Sequence, residues 1–120
     1  MFKEIQIGEN KVPMKANAAT GIRYKQVFGK ELFKQMEMIN DTDAFVPTDV
    51  IMELAYIMAM SGSDADMTRL NTETYMEWLE GFEFMDFMNE ETSKEIMLIW
   101  QGNKKQSVEP KKDSDQQTEN

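Results

Sequence analysis

Pro47-Thr48-Asp49-Val50-Ile51-Met52-Glu53-Leu54-Ala55-Tyr56-Ile57-Met58-Ala59-Met60 is the most apolar run in this chain, and its periodicity decides the architecture. Proline suits the first turn of a helix, where its missing N–H would be unpaired anyway. At about 100° per residue, Val50, Ile51, Leu54, Ile57 and Met58 form one apolar face. Met52, Tyr56 and Met60 form a second stripe, beside Asp49 and Glu53. A helix that is apolar nearly all round is covered nearly all round. The run therefore predicts a central helix, and the rest of the chain is read as its cover.

Toward the N-terminus, residues 2–7 and 11–15 alternate in character around a Gly8-Glu9-Asn10 turn, which predicts a β-hairpin. Pro13 lacks an amide donor, so its strand belongs at an edge or is short. A lone hairpin is marginal and must pack on something. A helix follows, with Thr20 or Asn17 as its N-cap. Tyr24, Phe28, Leu32 and Ile39 gather on one side of it, and Arg23, Lys30 and Lys34 on the other. Gly29 divides this helix into two parts, the second running to about Ile39. The basic side reads as a solvated face or as an intramolecular partner for the acidic helices, ahead of a phosphate site. Residues 40–43 form a polar loop.

Toward the C-terminus, residues 61–66 form a loop and Asn71 or Thr72 caps a third helix. Tyr75, Trp78, Leu79, Phe82 and Met85 share one face, with Glu73, Glu77 and Glu80 opposite. After Gly81 the pattern changes: Phe84, Phe87 and Met88 fall on the glutamate side. A straight helix would then carry two apolar faces. A break at Gly81, where glycine weakens a helix, would let both sets face one core. Thr92-Ser93-Lys94-Glu95 has capping-box spacing ahead of Ile96-Met97-Leu98-Ile99-Trp100, and Gly102 is a natural stop. Residues 103–120 hold Val108 as their one aliphatic side chain, so they are expected to form a disordered polar tail.

Composition narrows the function. The 120 residues suffice for one domain, here residues 1–102 ahead of the tail at 103–120. There is no Cys and no His, which removes disulfides, thiolate or imidazole metal sites, and Ser-His or Cys-His nucleophiles. No run approaches the roughly 20 apolar residues of a membrane helix, and no secretory signal opens the chain. The net charge of -9 is uneven: residues 1–40 carry +3, residues 41–91 carry -12, and the remainder is balanced. Such a middle repels nucleic acid and suits a basic partner or plain solubility. Twelve methionines supply flexible, polarisable side chains for irregular core gaps or adaptable surfaces.

Sequence patterns for chemistry are weak. Asp64-Ala65-Asp66 opens like a calcium loop, but Arg69 and Tyr75 stand where Gly and Glu are required; Asp41-Thr42-Asp43 fails likewise at Val46 and Met52. Glu73, Glu77 and Glu80 have helical spacing without the histidines of carboxylate-bridged metal sites. No cofactor, no metal and no enzymatic activity is expected; a small carboxylate hydrolase ranks last among the readings.

Ala18-Ala19-Thr20, Arg23-Tyr24 and Phe28-Gly29-Lys30, within residues 17–32, resemble the first helix of the tail assembly chaperones of long-tailed phages of Gram-positive bacteria. The opening hairpin, the run at 48–59, and the acidic helix of Tyr75, Trp78, Leu79 and Phe82 resemble that family too, so the likeness covers about residues 2–100. Gly21 departs from it, standing where proline is expected after the capping threonine. The resemblance implies a protein of the host cytoplasm that binds the tape measure protein, keeps it soluble, helps recruit tail tube subunits, and is absent from the mature virion. It also implies that a longer frameshifted form can exist. The expected fold is α+β, mainly α: an N-terminal β-hairpin packed on a small helical domain, then the tail. Met52, Tyr56, Met60, Phe84, Phe87 and Met88 are the candidate partner-binding residues, because each falls off its helix's main apolar face. The alternative is an acidic DNA mimic or anti-repressor that occupies the basic groove of a DNA-binding protein.

Overall fold

The computed structural model describes residues 1–35 and 48–108. Its N-terminus is the hairpin that the alternation predicts: β1 (Phe2–Ile7) pairs antiparallel with β2 (Asn10–Lys15), Ile7 opposite Asn10 and Ile5 opposite Val12. Gly8, with φ +61°, takes the left-handed conformation in the two-residue turn while Glu9 does not, the II′ pattern that matches strand twist. Ile5, Ile7, Val12 and Met14 turn inward and are buried; Phe2, Glu4 and Gln6 face out. A two-residue turn makes Ile7 and Asn10 a mutually bonded pair, and bonded pairs then alternate along the ladder. Pro13, opposite Glu4, falls at an unbonded position, where its missing N–H costs the ladder nothing. The alternation carries on past the strands: the Ala16 N–H donates to the Met1 carbonyl at 2.8 Å and the Met1 ammonium to the Ala16 carbonyl at 2.6 Å.

Helix α1 spans Thr20–Phe28. Neither expected cap is its N-cap: Ala19 holds that position with no side-chain cap hydrogen bond, and Asn17 and Thr20 close the turn before the helix instead. The Asn17 carboxamide accepts from the Ala19 N–H, and the Thr20 hydroxyl accepts from the Asn17 N–H, each at 2.9 Å. Gly29, at φ +71°, ends the helix by donating its N–H to the Lys25 carbonyl. Residues 32–35 are helical again, with Leu32 buried. The expected extension to Ile39 and the loop at 40–43 lie outside the described residues.

Helix α2 (Thr48–Gly62) is the centre of the domain. Val50, Ile51 and every residue from Leu54 to Ala59 are buried, because β2, α1 and the helices that follow pack around it. Its last residue meets the hairpin backbone to backbone: a Cβ on Gly62 would collide with the Pro13 carbonyl. A 3-10 turn (Met67–Arg69), capped by Asp66, leads to α3 (Thr72–Leu79), capped reciprocally by Asn71 and Thr74. The chain then breaks around Gly81 and restarts as α4 (Phe84–Met88). The broken alternative is therefore the one realised.

Helix α5 (Glu90–Val108) departs from the sequence reading at both ends. It starts before the Thr92 box, because Asn89 accepts from the N–H groups of Glu91 (2.9 Å) and Thr92 (3.2 Å) and leaves Thr92 buried instead. It also continues through Gly102 to Val108. An internal glycine costs a helix only about 1 kcal/mol, and the turn before it is held by buried Ile96, Ile99 and Trp100. The Met1 side chain lies against Gly102, where a Cβ would make its sulfur shift. Residues 109–120 lie outside the described residues, so the remainder of the expected tail is not described. The fold is α+β, mainly α. Among the described residues no helix is long and apolar enough to cross a membrane.

Candidate partner-binding surface

The break at Gly81 sorts the off-face residues. α4 sets Phe87 into the core, its ring 6.0 Å from Trp78 and 5.5 Å from Phe82, and the Phe87 carbonyl accepts from the Ser93 hydroxyl at 2.9 Å. Phe84 and Met88, four residues apart and on one side of α4, are 56% and 50% exposed. Phe87, at 1% exposure, is thus corrected from surface to core. Tyr56 is corrected in the same way. Its ring lies 5.3 Å from Tyr75 and 5.7 Å from Trp78, and its hydroxyl shares a 2.6 Å hydrogen bond with the Thr74 hydroxyl. Both corrections have one cause. An off-face residue stays on the surface only where nothing packs there, and α3 and α4 cover the second stripe of α2. Met52 and Met60 sit half-buried at the core margin. Met60 also lines a shallow groove of about 360 Å³ beside Val12, Pro13, Trp78 and Phe82.

A larger opening, of about 740 Å³, lies between the start of α2, the end of α4 and the outer side of α5. Ile51, Met88, Met97 and Leu98 give it its apolar lining, and Glu90 and Lys94 face it as well. Leu98 is 56% exposed. The chain matches no known family model, curated protein or solved structure. The groove must be read on its own geometry. Met97 and Leu98 were missed by sequence reasoning, although the signal was there. Ile96, Ile99 and Trp100 take the buried side of α5 by their spacing of three and four, which leaves Leu98 on the other side and Met97 between, half-buried at the edge of the core.

Charge is distributed unevenly along the chain that forms α3 and α4. Between residues 71 and 91 there is no basic residue. Glu73, Glu77, Glu80, Glu83, Glu90 and Glu91 are exposed there, interleaved with exposed Met76, Phe84, Met85 and Met88. Among the described residues no group of three or more Asp, Glu, His or Cys is placed to hold a metal ion.

A second cluster is internal. The Tyr24 hydroxyl donates to Glu53 Oε1 at 2.6 Å, and Lys30 Nζ donates to both Glu53 oxygens at 3.0 and 3.1 Å. Lys30 is thus an intramolecular partner of an acidic helix residue, one of the two roles open to the basic side. The carboxylate that interrupts the apolar run of α2 joins that helix to the end of α1. Burial raises the Tyr24 hydroxyl far above its ordinary value, with the Glu53 hydrogen bond and charge adding to it. Burial, then the Glu53 and Asp49 charges, raise Tyr75 likewise. Below pH about 10 both phenols are neutral in the folded and unfolded chain alike. Above it the unfolded chain ionises first, so folding stability falls as pH rises through that range. We expect the phenolate absorbance of Tyr24 and Tyr75 to develop only together with loss of helix in an alkaline titration, and Tyr24→Phe to shrink that step. Tyr24 and Tyr75 ionising near pH 10 with the helical signal intact would contradict it.

Proposed function

We propose that this protein is a phage tail assembly chaperone that binds the tape measure protein in the host cytoplasm, helps recruit tail tube subunits, and does not remain in the virion. The observation that carries the reading is the apolar groove between α2, α4 and α5, with Met88 and Met97 in its lining. A tape measure is a long, mainly helical chain whose apolar stripes self-associate before assembly. A chaperone for it needs an adaptable apolar surface to cover them and charge to keep the complex dissolved. The resemblance of residues 17–32 and of the helices after them supports the same reading. The exposed acids also suit a DNA mimic, but a mimic needs them as an unbroken phosphate-like array, and here methionine and phenylalanine interrupt them.

Co-expression with the tape measure protein of the same phage tests the proposal. The wild-type chain should hold the tape measure in the soluble fraction. M88S/L98S, altered at two exposed positions, should stay folded while the tape measure pellets. A tape measure that pellets equally with and without the wild-type chain would end this reading.

A further inference from the structure

We propose that a second opening, beside the hairpin turn, holds the guanidinium group of an arginine. It measures about 290 Å³ and lies between the end of β1, α4 and the first turns of α5. It shares no lining residue with the apolar groove, so a ligand here is independent of the tape measure reading. Asp86, Glu91 and Glu95 line it and no basic residue does. Lys3 reaches Glu95 from outside that lining, but only as a loose, solvent-exposed pair at 3.9 Å. Acids alone would make an ordinary acidic surface; two other groups point to a ligand. Thr92 lines the same opening and is 8% exposed, yet its hydroxyl makes no hydrogen bond among the described residues. A buried hydroxyl left without a partner is costly, and an incoming donor relieves that cost. Gln6 donates its amide N–H to the Gly8 carbonyl at 3.1 Å, which leaves its carboxamide oxygen as an unused acceptor in the lining. Asp86 is fixed in place: one oxygen accepts from the Glu83 N–H at 3.0 Å, and the carboxylate lies so close to Gly8 that a Cβ there would collide with it. The lining therefore offers oxygen acceptors to a ligand that brings donors. The acids do not converge on one point as a metal ion requires. A guanidinium suits such a spread, because it presents several N–H donors in a planar fork, delocalises its charge and accepts nothing. The volume is at the small end of the roughly 300–1,000 Å³ of ligand pockets, which suits one side chain rather than a cofactor. Exposed Met85, also in the lining, gives apolar surface to the methylene stem.

Magnetic resonance titration of the isotope-labelled full-length chain provides the test. The probes are a capped tripeptide with arginine between two glycines, the same peptide with lysine, the same peptide with citrulline (isosteric and neutral), and free arginine. The arginine peptide should shift the amide signals of Gln6, Gly8, Asp86 and Thr92. It should bind at least about tenfold more tightly than the citrulline peptide, and more tightly than the lysine peptide. T92V removes the hydroxyl at nearly constant shape, and E91Q/E95Q removes two charges at constant length. Each should weaken binding of the arginine peptide several-fold, with circular dichroism showing both variants folded. A peptide that binds more tightly than free arginine assigns the site to a protein's arginine, and the reverse assigns it to a small molecule; either keeps the guanidinium. Absence of shifts at these positions, equal binding of the citrulline or lysine peptide, or wild-type affinity in both variants would each overturn the inference. So would magnesium or calcium shifting the same signals at lower concentration than the arginine peptide, because the acids would then form a metal site.

Discussion

Phe87→Ala will destabilise the protein by about 3–5 kcal/mol, while Phe84→Ala, on the same short helix, will change it by less than about 0.5 kcal/mol. The two residues are chemically identical and three positions apart. Phe87 is 1% exposed and fills the space where α4 meets Trp78 and Phe82, so its removal leaves a cavity that the surrounding helices cannot fully close. Phe84 is 56% exposed, and truncation mostly returns its surface to water. A domain of this size is stable by only about 5–15 kcal/mol in total, so the first substitution takes a large share. Urea unfolding followed by far-ultraviolet circular dichroism measures both. Matching midpoints for the two variants, at equal slope, would mean that α4 does not sort its phenylalanines in this way.

Leu54→Ala should cost about 2–5 kcal/mol, and Leu54→Met less than about 1.5 kcal/mol. Leu54 is fully buried in the middle of α2 and begins the run of six consecutive buried residues that ends at Ala59. Alanine there removes apolar contact on a helix that has no exposed side toward which to relax. Methionine keeps the volume and adapts its shape. A denaturant midpoint for Leu54→Ala equal to wild type would show that α2 is not the centre of the core.

The hairpin, the end of α1 and the centrality of α2 were legible in the sequence because each follows from a local cause. Alternation at period 2 assigns Ile5, Ile7, Val12 and Met14 to one face whatever packs against it. Gly8 and Gly29 permit the left-handed backbone that a II′ turn and a helix C-cap require. A helix with apolar side chains on nearly every side can only be stable inside a domain. The fate of the off-face residues was not legible. Periodicity says which side chains share a face but not which face another element covers. Spacing alone therefore sets Phe87 and Tyr56 off their main faces, where packing buries both, and does not show that Leu98 stays exposed. The contacts that bury Tyr56 and Phe87 join residues made neighbours by packing: Tyr56 with Thr74 and Tyr75 across α2 and α3, Phe87 with Trp78 across α3 and α4. The groove itself brings α2 together with α4 and α5, which lie well beyond it along the chain. The sequence by itself determined the elements and the faces they share, since backbone sterics and side-chain spacing act over a few residues. Only the tertiary structure decided which of those faces were buried and which stayed open, since burial depends on what arrives from elsewhere in the chain.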